Sequence, residues 1–221
     1  MSNIEILYED SEIICCIKPI GVLSQSDENG KANMVDLLKE ITKGDIFPLH
    51  RLDREVSGVM LYAKTKSAAA KLSSDIANNS FLKEYMALVH SKPQTACGEM
   101  NDLLFKDSAR GKVFVVKRER KGVKKASLKY EVLDTKTYLN EDYSLVKILL
   151  ITGRTHQIRV QFASRKMPLA GDKKYGAKDS FKKIGLWSYS ITFTHPKTKE
   201  KLSFSKEPDC SENSLFQNLL K

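Results

Sequence analysis

The sequence lacks the common signatures of a bound cofactor. It contains no G-x-x-x-x-G-K-[ST] and no G-x-G-x-x-G, so neither usual phosphate cradle is encoded and no nucleotide cofactor is expected. His50, His90, His156 and His195 are not spaced as metal ligands, and Cys15, Cys16, Cys97 and Cys210 form no C-x-x-C pair. Neither a metal site nor a disulfide framework is expected. Adjacent Cys15 and Cys16 would point to opposite faces of a strand, and reduced thiols in a cytoplasmic protein are the better reading. No run approaches the ~18 apolar residues that cross a bilayer. Residues 1–10 hold Glu5, Glu9 and Asp10 and no basic segment leading into an apolar one, so no signal peptide is read.

Acidic residues are also in short supply. Asp and Glu number 27 against 37 Lys and Arg, a formal charge of +10 on 221 residues. That balance points to a polyanionic partner, nucleic acid before membrane. The excess is local. Residues 106–129 hold ten Lys or Arg against Asp107 and Glu119 alone, which is +8 in one segment. Val113–Val116 lie inside it and Gly122 breaks it, so the pattern reads as a strand, a basic loop and a strand, a cationic hairpin. A second basic cluster spans 164–183. The hairpin's β pattern does not suit a basic amphipathic helix lying on a membrane.

What is present is a mixture of strands and helices that do not alternate. Two short strands are expected within 4–18, then a polar loop at 24–33 and a helix at 34–41. A strand at 58–63, a helix at 66–78 and strands at 83–89, 112–117, 126–134 and 144–151 follow. A helix capped by Thr155 carries Ile158 and Phe162 inward. A strand at 186–194, a His195-Pro196 turn, a short strand and a short helix from Ser214 close the chain. This pattern predicts an α+β fold with a largely antiparallel sheet, in one continuous domain over 1–221.

Three segments carry candidate chemistry. In His50-Arg51-Leu52-Asp53-Arg54-Glu55-Val56-Ser57-Gly58, cations on either side of Asp53 favour its charged form, which suits a nucleophile better than a general acid. The same residues also read as a surface salt-bridge loop. Lys83–Ala87 is a strand whose alternation makes Tyr85 a core residue. In Gly153–Arg159, glycine permits a tight turn into a helix, and Arg159 flanks its buried stripe as either a cleft residue or a surface one. His156 reads as a hydrogen-bonding residue. A glycosidase would usually need a second carboxylate across the bond, and only Glu55 lies near Asp53.

Taken together these segments resemble the RNA pseudouridine synthases of the RluA class. The family's marks are H-R-L-D-x-x-[TS]-S-G, K-x-Y-x-A and G-R-T-H-Q-I-R, standing here in the family's order. Ile6–Asp10, Lys18–Gly21, Gly171–Gly176 and Phe193–Pro196 are similar to further family segments, so the likeness covers nearly the whole chain. Departures stand at Val56, Gln161 and Trp187-Ser188.

The resemblance implies a pseudouridine synthase fold, a mixed sheet flanked by helices with a central catalytic cleft. It implies that uracil is detached from ribose C1′, turned over and rejoined through C5, with no cofactor. Asp53 is then the catalytic aspartate, acting at C1′, at the base or on a ribose proton. Arg159 holds it ionised, Tyr85 stacks under the target base, and Arg51 enters the RNA where the base has left. Chemistry at these atoms requires the uridine to leave its stack. His50 is read as a structural hydrogen-bonder and Lys83 as framing its strand. The implied partner is a structured ribosomal or transfer RNA stem-loop, bound by a monomer. The S4-type domain that many relatives carry in front has no counterpart before residue 4, which leaves the two basic clusters to grip the RNA.

Overall fold

A computed structural model describes residues 4–27 and 30–208 together with Phe216. The expected helix from Ser214 (Phe216 apart) and Cys210 lie outside the described residues. In chain order the first elements are β1 (Ile6–Glu9), β2 (Ile13–Lys18), α1 (Met34–Thr42), β3 (Phe47–Pro48), β4 (Ser57–Ala63) and α2 (Lys66–Ala77). They are followed by β5 (Leu82–His90), β6 (Cys97–Asp107), β7 (Lys112–Val116), β8 (Val123–Tyr138) and β9 (Glu141–Leu150). The remainder is α3 (Gln157–Ser164), a 3₁₀ turn at Lys173–Tyr175, β10 (Leu186–Thr194) and β11 (Lys201–Ser205). The fold is α+β, as expected. The chain divides into two compact units, residues 1–83 with 187–208, and residues 84–186 with 209–221.

In the first unit the strand order is β1-β2-β4-β10-β11, with β3 also on β4. Every residue of β2 and β4 is buried, which is why both read as unbroken apolar runs. Pairing is antiparallel except between β4 and β10, where Ser57 and Gly58 face Trp187 and Ser188. Gly58 has φ +124, and a side chain there would collide with the backbone of Ser188. Only glycine lets the two strands meet. Asn33 caps α1 by accepting from the Asp36 N–H at 3.1 Å, and Thr65 caps α2 from Ala68 at 3.1 Å. The departures at Trp187 and Ser188 are both satisfied within this unit. Indole Nε1 donates to the Lys206 carbonyl at 2.7 Å, and the Ser188 hydroxyl donates to that of Val59 at 2.9 Å.

In the second unit β5, β9, β8, β6 and β7 follow one another in an antiparallel run. One face of its outer part is covered by α3 and the 3₁₀ turn, burying Leu104, Val113 and Ala126 with Val160 and Tyr175. Two sequence expectations change here. The eleven-residue β6 is an added strand, hidden because its polar residues interrupt the alternation. Basic residues 117–122 do link two strands, β7 and β8, but these are not neighbours. Both pair with β6, on opposite sides, and the actual hairpin is β6–β7 with its turn at 108–111.

Candidate active site

Asp53 lies in the turn between β3 and β4, half-buried, with Arg51, Arg54 and Glu55 exposed around it. Its neighbours on both sides are held by the chain that follows β2. The Ser24 hydroxyl accepts from the Leu52 N–H at 2.9 Å and donates to the Leu52 carbonyl at 3.0 Å, acting as a strand partner would. Ser24 is itself fixed from behind, because the fully buried Tyr62 donates its hydroxyl to the Ser24 carbonyl at 2.9 Å. On the other side the Arg54 carbonyl accepts from the Gly21 N–H at 2.8 Å, and Arg54 Nε returns a bond to the Gly21 carbonyl at 3.0 Å.

Lys18 completes the clamp. It has no exposed surface, and its ammonium donates to the carbonyls of Pro19 at 2.9 Å, Val22 at 2.7 Å and Arg54 at 3.4 Å. A buried charge survives only when its donors are met, and here carbonyl oxygens meet them. Ser24 and Lys18 thus locate Leu52 and Arg54, and through them the Asp53 backbone. The Val56 N–H donates to the Asp53 carbonyl at 3.0 Å and closes the turn into β4. Lys18 belongs to a segment already singled out. Ser24 gave no signal, being one serine in a polar loop.

His50 is a hydrogen-bonding residue. Its Nε2 accepts from the Leu61 N–H at 3.3 Å, which places its proton on Nδ1, an atom without a partner among the described residues. Burial, and then the nearby Lys83 charge, push its pKa down to about 3. It is therefore neutral at ordinary pH. Lys83 is buried too, with its own pKa lowered by desolvation and its ammonium 5.9 Å from the Phe81 ring centre.

Tyr85 and Arg159 belong to the second unit. Tyr85 lies on β5 opposite Ile148 of β9 and is 5% exposed. Arg159 is 3% exposed, which removes the surface-arginine alternative. Its guanidinium grips Asp172 with two parallel bonds, Nε to Oδ2 at 2.7 Å and Nη2 to Oδ1 at 2.9 Å. A bidentate pair of this kind fixes the plane of the fork as well as its charge. Asp172 stood within the Gly171–Gly176 segment, but nothing in the sequence marked it as the partner of Arg159. Gly171, at φ +75, leaves room for the backbone of Lys183 where a side chain would strike it.

The start of α3 differs from expectation. Thr155 does not cap it; His156 holds the cap position at φ 51 and its side chain makes no capping bond. Gln157 instead folds back, accepting from the Arg154 N–H at 3.0 Å and from the Thr152 hydroxyl at 2.8 Å. His156 Nδ1 lies 2.8 Å from the Tyr175 hydroxyl, which in turn accepts from the Val113 N–H at 2.9 Å. At the departure Gln161, Nε2 donates to the Met100 carbonyl at 3.2 Å and to the Asp102 carboxylate at 2.7 Å.

The geometry is thus a clamped carboxylate loop in one unit and a locked guanidinium and a buried tyrosine in the other. Residues 12–164 match the model of the RNA pseudouridylate synthase family. The chain belongs to that family. It is an RNA pseudouridine synthase, and RNA is its class of substrate. It is 31% identical to the ribosomal large subunit pseudouridine synthase C of Haemophilus influenzae, across 97% of this chain and 68% of the relative. It is likewise 31% identical to the tRNA pseudouridine synthase C of Haemophilus ducreyi, across 97% of this chain and 95% of that protein. Among solved structures, human RNA pseudouridylate synthase domain containing 4 superposes with a TM-score of 0.79 at 22% identity, over 98% of this chain and 93% of the other. That likeness shows the fold. Among the described residues no helix is long and apolar enough to cross a membrane.

Proposed function

We propose that this synthase converts uridines of structured ribosomal or transfer RNA to pseudouridine through Asp53, on a uridine turned out of its stack. The observation that carries the reading is the clamp on Leu52 and Arg54, which holds the backbone on either side of a half-exposed carboxylate. Rate acceleration depends on a reacting group that is already in place, and backbone hydrogen bonds on both sides of Asp53 provide that. Tyr85 offers a ring face for the displaced base, and Arg159 a cation that favours the charged carboxylate. Arg51, exposed beside Asp53, fills the gap that the base leaves. The two basic clusters hold the phosphate backbone, and the chain acts as a single catalytic domain and as a monomer.

Two measurements test this. Isomerisation leaves the mass of the RNA unchanged, whereas hydrolysis at the same bond would release free uracil. Asp53→Asn is expected to abolish pseudouridine formation while RNA still binds. Wild-type turnover by Asp53→Asn would remove Asp53 from the reaction.

A further inference from the structure

The outer strands of the second unit present a second face that the described residues cover only in part. Leu104, Val113 and Ala126 point inward against α3. The residues beside them in sequence point the other way. Across β8, β6 and β7 the outward side chains stand in two rows, Val123–Phe105–Phe114 and Lys125–Leu103–Val116. The apolar members of both rows are only half-buried, although β-sheet interiors usually cover such residues. Arg120 lies over this face, its guanidinium carbon 4.6 Å from the Phe105 ring centre. Beside it opens a shallow pocket of about 400 Å³ lined by Leu103, Glu119, Arg120, Val123 and Lys125.

We propose that this face is a stacking platform for unpaired bases of the RNA, with Phe105, Phe114 and the guanidinium plane of Arg120 as its contact surfaces. The inference rests on the RNA-docking role of the basic segment proposed above and adds where bases, as distinct from phosphates, are held. The chemistry on the page favours this occupant. Exposed Lys117, Arg118 and Lys121 lie in the link between β7 and β8 next to the apolar rows, within a segment that carries +8. Phosphates suit such a rim, and unpaired bases suit aromatic rings and arginine planes. A second copy of this chain would bring Lys125 and the cations of residues 117–121 against the same charges, so self-association is disfavoured. Because β7 ends the strand run of its unit, the platform is open along one edge.

The test uses the full chain and a fluorescein-labelled single-stranded oligoribonucleotide of about twelve nucleotides, within the usual site size of single-strand binders. Binding is followed by anisotropy over a range of salt. Phe105→Leu with Phe114→Leu keeps the face apolar but removes both rings, and circular dichroism melting checks that the variant is folded. Its affinity is expected to fall by about fivefold or more, the equivalent of one lost stacked base, with the salt dependence unchanged. Arg120→Lys keeps the charge and loses the plane, and is expected to weaken binding in the same way. Wild-type affinity in both variants overturns the platform. So does a wild-type dimer, seen by sedimentation, that the two leucines dissociate. Replacing Lys117, Arg118 and Lys121 by Gln reports separately on the docking role. An unchanged salt slope there would remove the RNA from this segment altogether, whatever the rings do.

Discussion

The Asp53 turn and the basic strands 106–129 answer opposite demands. Around Asp53 the backbone on both sides is held by hydrogen bonds from distant parts of the chain. Ser24 binds both backbone groups of Leu52, Lys18 reaches three carbonyls, and Gly21 and Arg54 exchange a pair of bonds. Along 117–125 the cationic residues are exposed, with Arg120 over the Phe105 ring and Lys125 in an exposed ion pair with Glu119 at 3.2 Å. On the proposed role of Asp53, chemistry at one atom needs a position defined to a fraction of an ångström, which is what such a clamp provides. Docking to a polyanion, the role proposed for the basic strands, needs charge of one sign over an area, and exposed lysines and arginines suit that. The clamp is costly to disturb at a single point. The charged surface is graded, since each cation adds a similar increment.

Substitutions can break this contrast, and the largest effect belongs at the turn. Asp53→Asn is expected to lower kcat by at least about a thousandfold, as loss of a reacting group does, with RNA affinity retained. A variant that loses RNA binding in proportion to turnover would assign Asp53 to docking. Next is Ser24→Ala, which leaves the N–H and carbonyl of Leu52 without their buried partner. It is expected to cost about 1–3 kcal/mol of stability. The loosened turn is also expected to lower kcat by about 10–100-fold while KM stays close to wild type. If KM rises and kcat holds, Ser24 serves substrate binding and the clamp is not a positioning device.

His50 sharpens the contrast through pH. Its folded pKa is depressed to about 3 from an ordinary 6.5, so acid protonates the unfolded chain before the folded one. Stability should therefore fall as pH drops from 6.5 toward 3, by up to about 1.4 kcal/mol per unit relative to His50→Asn. Parallel denaturation midpoints for the two proteins across that window would show that His50 is accessible and protonates freely. The smallest effect on turnover belongs to the basic strands. Gln at Lys117, Arg118 and Lys121 should leave kcat on saturating RNA unchanged and reduce the slope of log affinity against log salt by about 2. A fall in kcat at saturation would mean that these cations also position the substrate.

Much of this was legible beforehand, and the exceptions have physical causes. Strands β2 and β4 showed as apolar runs because both faces of each are buried. Helices α1 and α2 showed through the spacing of their apolar residues. Strand β6 was obscured because it is exposed at many positions and Glu99, Asn101 and Asp102 interrupt its pattern. The pairing of the basic strands was misread because adjacency in sequence favours the nearest partner, whereas β6 takes both edges. Thr155 looked like a cap because hydroxyls usually serve there. The Gln157 amide satisfied the turn instead, leaving His156 in a left-handed conformation. The candidate residues themselves were all visible as motifs, but their partners were not. Asp172 lies thirteen residues from Arg159, and Ser24 twenty-eight from Leu52.

The sequence by itself determined the class of protein, the family and the place where its charge is concentrated, because these depend on residue identity and order along the chain. The tertiary structure alone decided what holds the site residues and which faces remain open. It put Ser24 and Lys18 on either side of the Asp53 turn, turned Arg159 inward onto Asp172, and left Phe105 and Phe114 half-buried on the outer sheet face. Such relations depend on hydrogen bonds and packing between segments far apart in the chain, and no local pattern of residues encodes those partners.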